Sequence, residues 1–460
     1  MSLVSFPSLL ALSFLPLVIF ISGVCRGRLW QIIVAFLFLL LLLRFIPGLE
    51  RLIIPIFAAI LLWGVLFRYY CSEFPGTKQE VCLLFILLFV VVGFSLRWPL
   101  LIERVGNSLD PDAQGYLNIA RNGKGLFQTS CDTAPYIREP LFIWFVRAAF
   151  FIFRTQSDTA LRFLTVLLSL FVIPATYFAG RRWFGRFPAL LAAFFYTVNP
   201  YFTDMSVRGL RMELYMVCVL LFLAGMDWLR KKEAWGGIRS GVASGVCLLA
   251  RITSLSFTIP LTVFFGIRRK AKAYQIILAV AVSLVLLTPH LIFNYQITGD
   301  PLFSSNIHAR FYRNREFAGQ PGFPSKQEVS RDPYCGKPIT SLEYIFGLHS
   351  PFEVVKITLR GFFRIFLGRI ALGGLFGGNR VFFLFYLFGL GVTLFSRRWE
   401  WVVAAIVLEA PSVFLAGLHL DWRLTLHVAP LLYLFTANGI FFLAKKANFV
   451  RQKYTLTKGA

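Results

Sequence analysis

The chain has 460 residues, of which 57% are hydrophobic and only 15% are charged, and its mean hydropathy is +0.69. Apolar runs recur along the chain, and a helix needs about 20 such residues to cross a bilayer. The composition therefore predicts an all-α, polytopic membrane protein. The net charge of +25 comes from short clusters of Lys and Arg between apolar runs. Because membrane topology and anionic lipid headgroups select that pattern, no nucleic-acid partner is predicted.

The apolar runs predict about thirteen transmembrane spans. The first run lacks the positive start and the small-residue cleavage pattern of a signal peptide, so we expect it to remain as a helix. The basic clusters between spans are assigned to the cytoplasmic side. The spans are placed near residues 5–24, 30–46, 52–68, 81–98, 160–179, 187–202, 210–227, 238–250, 253–267, 274–292, 380–396, 399–418 and 424–443.

Two segments need a decision beyond hydropathy. Residues 238–267 lie between two basic clusters, so they must cross twice, with a corner at 251–254 facing outside. Residues 140–153 would span only about 21 Å as a helix, and Arg147 lies in the middle of them. We therefore expect a juxtamembrane helix that lies in the outer interface.

The predicted organisation has five parts and no soluble domain. They are residues 1–98, the N-terminal transmembrane helices; 99–159, the first outer loop, which would hold the catalytic residues and the juxtamembrane helix; 160–292, the central bundle; 293–379, a long outer loop; and 380–460, the C-terminal helices and a basic cytoplasmic tail.

Carboxylates and arginines concentrate on the predicted outer face. Ionisable groups at a membrane are functional candidates because bilayers penalise them. A sugar on a lipid phosphate has its reactive bond at headgroup level, and its transfer needs one carboxylate to accept a proton and guanidinium groups to hold the departing phosphate. The candidates are Asp110, Asp112, Tyr116, Arg138, Glu139, Arg211, Glu213, Arg251 and Arg423.

Residues 112–127 begin Asp112-Ala113-Gln114-Gly115-Tyr116 and resemble the first-loop pattern of the GT-C fold glycosyltransferases. Further segments resemble the same family in order along residues 95–445: Arg138-Glu139-Pro140-Leu141-Phe142, Arg162-Phe163-Leu164, Asn199-Pro200, the glycine-rich stretch 241–251 and Asn294-Tyr295. The resemblance is closest to the branch that holds the protein O-mannosyltransferases and the lipid A aminoarabinose transferase. It implies inverting transfer from a polyprenyl-phosphate sugar, with Asp112 as the base. Asp110 is a further candidate to assist at the site.

The sequence departs from the family pattern at the base, where Ala113 follows Asp112 and the second carboxylate is Asp110 instead. Structural alternatives also remain. Asp112 is suited to capping a helix, and Asp110 to an Asp-Pro turn. Glu213 has Arg208 and Arg211 nearby for an ion pair. Tyr116 would ordinarily pack the loop helix, and the candidate arginines would ordinarily anchor headgroups.

No cofactor is required by this chemistry. Asp110, Asp112 and Glu213 would be able to hold Mg²⁺ or Mn²⁺ if the three converge, since hard cations take oxygen ligands. Arg310, Arg313 and Arg315 suit either an anionic or sugar acceptor or a solvated loop, and the solvated loop is favoured. Cys131 and Cys335 fall in predicted outer loops, where a disulfide is an alternative to two free thiols.

The sequence thus predicts a glycosyltransferase whose partners are a polyprenyl-phosphate sugar donor, membrane lipids and an acceptor lipid, protein or polysaccharide. The predicted location is a bacterial inner membrane, with the site facing the periplasm. Two alternatives remain: a flippase or transporter of lipid-linked oligosaccharides, and a polysaccharide polymerase or ligase that uses diphosphate donors. The first would need charged groups at mid-membrane depth. The second would depend little on Asp112.

Overall fold

The structure is a computed structural model that describes residues 79–123, 125–127, 137–230, 233–332, 335–365, 380–396, 398–418 and 422–458. The spans predicted at 5–24, 30–46 and 52–68 lie outside these residues, as does Cys131, so the pairing of Cys131 with Cys335 stays a prediction. Within the described residues, the regular elements are helices and none is a strand, which confirms the all-α class.

The described residues form seventeen α-helices. In chain order they are α1 (Gln79–Arg104), α2 (Pro111–Asn122), α3 (Pro140–Phe153), α4 (Asp158–Trp183), α5 (Arg186–Val198), α6 (Pro200–Met205), α7 (Met212–Gly225), α8 (Ala234–Ala250), α9 (Leu255–Arg268), α10 (Ala273–Thr298), α11 (Ser305–Arg313), α12 (Lys326–Arg331), α13 (Pro351–Phe363), α14 (Arg380–Phe395), α15 (Glu400–Leu408), α16 (Ala410–Leu418) and α17 (Ala429–Lys458).

Five stretches of the described part are long and apolar enough to cross a membrane: Phe85–Arg104, Asp158–Trp183, Met212–Arg230, Ala273–Thr298 and Thr425–Lys446. A sixth is counted if the bent pair α15 and α16 forms one span, and four further apolar helices are shorter. The chain is therefore an integral membrane protein. The predicted count of thirteen spans stays a prediction.

Two predicted spans are interrupted. The span at 399–418 is broken between α15 and α16 by a bend of 43°. The span at 187–202 ends at Val198, and a new helix starts at Pro200, which has no backbone N–H to continue the first helix. The Asn199 side chain caps the new helix by accepting a hydrogen bond from the Tyr201 amide at 2.9 Å.

The short apolar segment predicted at 140–153 is helix α3, with the same bounds. Its Arg147 guanidinium turns to the C-terminal end of α2 and donates to the carbonyls of Gly123 at 3.0 Å and Gly125 at 2.6 Å. Carbonyls at a helix C-terminus have no intrahelical donor, and a cation there also interacts favourably with the helix dipole. The Arg147 guanidinium in the middle of α3 thus caps the C-terminal end of α2 and links the two helices.

The corner predicted at 251–254 is a 3₁₀ turn, Ile252–Ser254, between α8 and α9. Helix α8 packs against α10 through Gly237, Gly241 and Gly245, spaced one turn apart. A Cβ at Gly241 would lie 2.6 Å from the Ala279 carbonyl oxygen. Small residues let membrane helices approach closely, so this stripe holds α8 tightly against α10.

Candidate active site

An open cleft lies at one end of the helix bundle, where α7 begins, α8 ends and α9 begins. Its volume is about 380 Å³ including the open mouth. The lining comes from α2, from the start of α7, from the 251–254 corner, from α11 and from the 3₁₀ segment Trp422–Val428. The lining residues are Asp112, Tyr116, Leu210, Arg211, Met212, Arg251, Arg310 and Arg423.

Asp112 is held by two arginines from distant parts of the chain. Its Oδ1 accepts a hydrogen bond from Arg138 Nη2 at 2.9 Å, and its Oδ2 accepts one from Arg423 Nη1 at 2.7 Å. The Arg138 side chain is fully buried behind Asp112, whereas 27% of the Asp112 side chain remains exposed. A carboxylate offers about four lone-pair positions, so both oxygens retain an acceptor site toward the cleft.

The electrostatics keep Asp112 ionised. Burial by itself would raise the pKa of the carboxyl, but the positive charges of Arg138 and Arg423 outweigh burial and lower that pKa below its ordinary value. An ionised carboxylate accepts a proton and does not donate one. The group is therefore prepared to act as a base over the neutral pH range.

The position of Asp112 follows from how α2 begins. Pro111 occupies the first turn of α2, where the missing N–H is no loss, and Asp110 occupies the N-cap position without a side-chain cap bond. Asp112 is thus not the helix cap. The preceding loop is fixed by buried Arg162, which donates to the carbonyls of Asn107 at 2.9 Å and Ser108 at 3.2 Å.

Asp110 lies beside Asp112 in sequence but faces a different cation. Its Oδ2 is 3.8 Å from Arg208 Nη1, and Arg208 also binds Asp204 at 2.7 Å. Gly209 follows with a φ of +74°, a left-handed conformation that glycine adopts without strain, and this turn brings the chain to Arg211. Asp110 does not line the cleft.

Tyr116 has both the packing role and the site role that the sequence left open. Its ring packs edge-on against Phe142 of α3 at 4.9 Å between centroids. Arg138 lies over the same ring at 5.2 Å, and Arg211 at 6.0 Å. An aromatic face attracts a cation, so Tyr116 separates and orients two arginines while its edge lines the cleft.

Glu139 is buried beneath the cleft and is not part of its lining. It forms an ion pair with Arg211, and both side chains are only 4% exposed. Although burial alone would raise the pKa of Glu139, the charge of Arg211 lowers it, so the pair is ionised. The sequence assigned Glu139 to substrate binding, whereas the structure places it in contact with other parts of the protein.

Arg251 directly follows the last residue of α8 and reaches the cleft from the corner. Its guanidinium lies over the Tyr215 ring at 5.5 Å, and it makes no ion pair within the described residues. Arg310 reaches the cleft from α11. The start of α11 is anchored near Arg138, since the Ser305 hydroxyl accepts from the Ile137 amide and donates to the Ile137 carbonyl, both at 2.8 Å.

Glu213 lies deeper, one residue beyond the cleft-lining Met212. Its side chain is fully buried, and neither carboxylate oxygen has a hydrogen-bond partner among the described residues. The expected ion pair with Arg208 or Arg211 is not formed, because those arginines bind Asp204 and Glu139 instead. The charge that acts favourably on Glu213 is that of Arg97, a fully buried arginine in α1.

The three carboxylates considered for a metal do not converge. Within the part of the chain that the structure describes, no group of three or more His, Cys, Asp or Glu side chains is arranged to hold a metal ion. Asp112 faces arginines on both oxygens, Asp110 faces Arg208, and Glu213 is buried apart. A reaction without a metal stays a prediction.

Sequence reasoning missed three arginines that matter to this site. Arg310 was assigned to a solvated loop, Arg162 was noted only as the start of a span, and Arg97 was not singled out. A charged residue inside an apolar run, as at Arg97, is by itself a usable signal. No local pattern indicated that α11 would return Arg310 to the first loop.

Comparisons with known proteins agree with the resemblance read from the sequence. Residues 135–293 match the family model described as dolichyl-phosphate-mannose-protein mannosyltransferase. That range begins just before Arg138 and includes Glu139, Arg211 and Arg251. No curated protein sequence matches the chain at a significant level.

Among solved structures, the oligosaccharyltransferase of Archaeoglobus fulgidus is similar in its apo form, with 15% identity and a TM-score of 0.51. The same protein, AglB, in complex with an inhibitory peptide and a dolichol-phosphate has 16% identity and a TM-score of 0.52. Each comparison covers 83% of this chain and 52% of the other, so the chain spans about half the length of the archaeal protein. ArnT from Cupriavidus metallidurans bound to undecaprenyl phosphate has 16% identity, covers 79% of this chain and 60% of that one, and has a TM-score of 0.47.

Proposed function

From the premise that the chain has the fold of the GT-C glycosyltransferases, we propose that it is an inverting glycosyltransferase. It moves a hexose or pentose from a polyprenyl-phosphate donor to an acceptor hydroxyl on a lipid, protein or polysaccharide. The observation that carries this proposal is Asp112: an ionised, partly exposed carboxylate that lines a cleft together with four arginines at the end of a membrane helix bundle.

The chemistry requires one proton transfer and one exchange of bonds. Asp112 takes the proton of the acceptor hydroxyl as that oxygen forms a bond to the anomeric carbon. The bond from this carbon to the phosphate oxygen breaks on the opposite face, so the configuration inverts. Phosphate is a good leaving group and departs without a general acid.

The arginines respond to the charge that develops during transfer. A polyprenyl-phosphate sugar carries about one negative charge on its phosphodiester, and the released polyprenyl phosphate approaches two. Fixed guanidinium donors stabilise that increase more than they stabilise the ground state, which is what lowers a barrier. Arg251 lines the cleft and is proposed to contact the phosphate, with Arg423 between the phosphate and Asp112. Arg211 is paired with buried Glu139 and adds positive charge to the same wall without contacting the phosphate.

The proposed location is a bacterial inner membrane. The basic clusters between spans favour the cytoplasmic side, which supports a cleft that faces the periplasm. The matched family model is named for a polyprenyl-phosphate sugar, dolichyl-phosphate-mannose, which supports that donor class here. The isoprenoid chain would then lie among the membrane helices, with the sugar at the cleft.

The test is sugar transfer by the purified protein in lipid vesicles, with labelled polyprenyl-monophosphate and polyprenyl-diphosphate sugars offered in parallel. Transfer from the monophosphate donor, lost in Asp112→Asn while that variant still binds polyprenyl phosphate, is the expected result. Transfer from the diphosphate donor alone, or full activity of Asp112→Asn, would contradict the proposal. Movement of the intact donor across the vesicle without transfer would indicate a transporter.

A further inference from the structure

Glu139 is a buried charge that the proposed chemistry does not use. It occupies the N-cap position of α3, yet its side chain makes no cap hydrogen bond there. Pro140 follows and has no N–H to be capped. The carboxylate instead leaves its own helix and contacts two other elements. A buried ion pair is weak evidence of stabilisation, because desolvation opposes it, so the contacts themselves indicate the role.

The two carboxylate oxygens of Glu139 contact the two elements that flank the cleft. Oε2 accepts from the Arg211 guanidinium at the start of α7, and Oε1 accepts from the Ile252 amide at 3.4 Å. Arg211 Nη1 also lies 3.5 Å from the Ala250 carbonyl oxygen. Ala250 and Ile252 are the chain neighbours of Arg251. The Glu139–Arg211 pair therefore holds the backbone on both sides of Arg251.

Arg251 depends on such support because its own backbone is extended, with φ −160° and ψ 115°, between the end of α8 and the 3₁₀ turn. Its amide donates to the Cys247 carbonyl oxygen at 3.1 Å and its carbonyl oxygen accepts from the Ser254 amide at 3.0 Å, so one helix ends and the next turn begins at Arg251. The contacts of Glu139 and Arg211 lie across this junction. The Arg251 guanidinium lies over Tyr215 at 5.5 Å and lines the cleft without an ion pair in the described part of the chain. A small shift of the corner would move this guanidinium relative to the substrate.

We infer that Glu139 is a positioning residue, which acts through Arg251 by holding the 250–252 backbone with Arg211. The inference rests on the proposed function, in which Arg251 contacts the departing phosphate. It assigns to Glu139 an effect on the donor step and none on the proton acceptor.

A purely structural role for Glu139 makes a different prediction. Removing its charge would leave Arg211 buried without its partner, and both roles predict that this lowers stability. Only the positioning role predicts that the loss of transfer disappears once Arg251 has been removed. Coupling between the two substitutions therefore separates the two roles.

The experiment is a double-mutant cycle of Glu139→Gln, Arg251→Gln and the combination, measured as kcat/KM for a polyprenyl-monophosphate sugar. Glu139→Gln is expected to lower kcat/KM about 10- to 100-fold in the wild-type background, since small misplacements of catalytic groups have effects of that size. In the Arg251→Gln background it should cost less than about threefold. Equal losses in both backgrounds would overturn the inference.

Two additions keep the test decisive. Glu139→Asp retains the charge but shortens the side chain by one methylene. It replaces Glu139→Gln in the cycle if Glu139→Gln does not purify as folded protein. Equal losses of kcat/KM in the wild-type and Arg251→Gln backgrounds would again overturn the inference. A wild-type protein without transfer would refute the proposed function by itself. The cycle would then be measured as Kd for polyprenyl phosphate, and additive changes in Kd would likewise overturn the inference. The acid limb of the pH profile should be unchanged by Glu139→Gln.

Discussion

A cluster of charged side chains lies near each end of helix α9, and the two clusters differ in how their charges are paired. Near its start lies the cleft, where Asp112 faces Arg138 and Arg423, and where Arg211, Arg251 and Arg310 are also drawn together. About 21 Å away, at its other end, Glu400 lies 3.3 Å from Arg268 and 3.1 Å from Arg269. Arg269 also lies 3.3 Å from Asp227.

At the second cluster, which we call the far cluster (Asp227, Arg268, Arg269 and Glu400), two arginines face two carboxylates. Its charges are matched by the protein itself, as expected of a contact that holds α9 to α15. At the cleft, the Arg251 guanidinium lines open space and makes no ion pair among the described residues. Paired charge thus stabilises the fold, whereas the charge of Arg251 beside open space is available to an anionic substrate.

The largest difference between the two clusters should follow from removing one carboxylate charge in each. Asp112→Asn is expected to reduce transfer about 10²- to 10⁴-fold because it removes the proton acceptor. Glu400→Gln should leave kcat within about twofold and lower the melting temperature by roughly 2–5 °C, since it unbalances the buried ion pair of Glu400 with Arg269. Transfer assays and thermal unfolding of both variants measure this, and a large loss of transfer in Glu400→Gln would erase the distinction.

Neutralising one arginine in each cluster should give the second-largest effect. Arg251→Gln is expected to lower kcat/KM for the donor about 10²-fold, since it removes a donor aimed at developing phosphate charge. Arg269→Gln, the matched variant at the far cluster, should affect stability and not kcat/KM. Steady-state kinetics at varied donor concentration measure kcat/KM for both variants. If Arg251→Gln behaved like Arg269→Gln, Arg251 would be a structural residue.

A smaller effect should be visible in the pH dependence. The charges of Arg138 and Arg423 lower the pKa of Asp112, so kcat/KM should fall only in acid, once that carboxyl becomes protonated. Arg423→Gln removes one of these cations, raises the pKa and should move the acid limb upward by about one pH unit. Arg423→Lys keeps the charge and serves as the control. An acid limb that does not move in Arg423→Gln would argue that Asp112 does not titrate in this step.

The smallest effect is expected behind the cleft, at the joint between α2 and α3. Arg147→Met removes the donors that close the end of α2 and keeps the apolar stem within α3. We expect a loss of about 1–2 kcal/mol in unfolding free energy, with transfer reduced less than about threefold. A melting temperature equal to that of the wild type would show that the α2 end needs no external cap.

The sequence by itself determined the all-α membrane class and the positions of two local elements, and it predicted the loop where the chemistry is expected. Hydropathy and prolines specify these locally, and the 140–153 helix and the 251–254 corner were confirmed at their predicted positions. The resemblance of residues 112–127 to a glycosyltransferase loop also needed only the order of residues. Asp112 could be singled out for the same reason.

Only the tertiary structure decided which charges meet. Asp112 pairs with Arg138 and Arg423, 26 and 311 residues away, and Arg211 pairs with Glu139 in preference to nearby Glu213. Such partners are set by how the helices pack, because a buried charge is stabilised by whichever counter-charge the bundle brings beside it. Spacing along the chain contains no information on pairs that lie so far apart, which is why the roles of Glu139 and Arg310 became visible only in the folded protein.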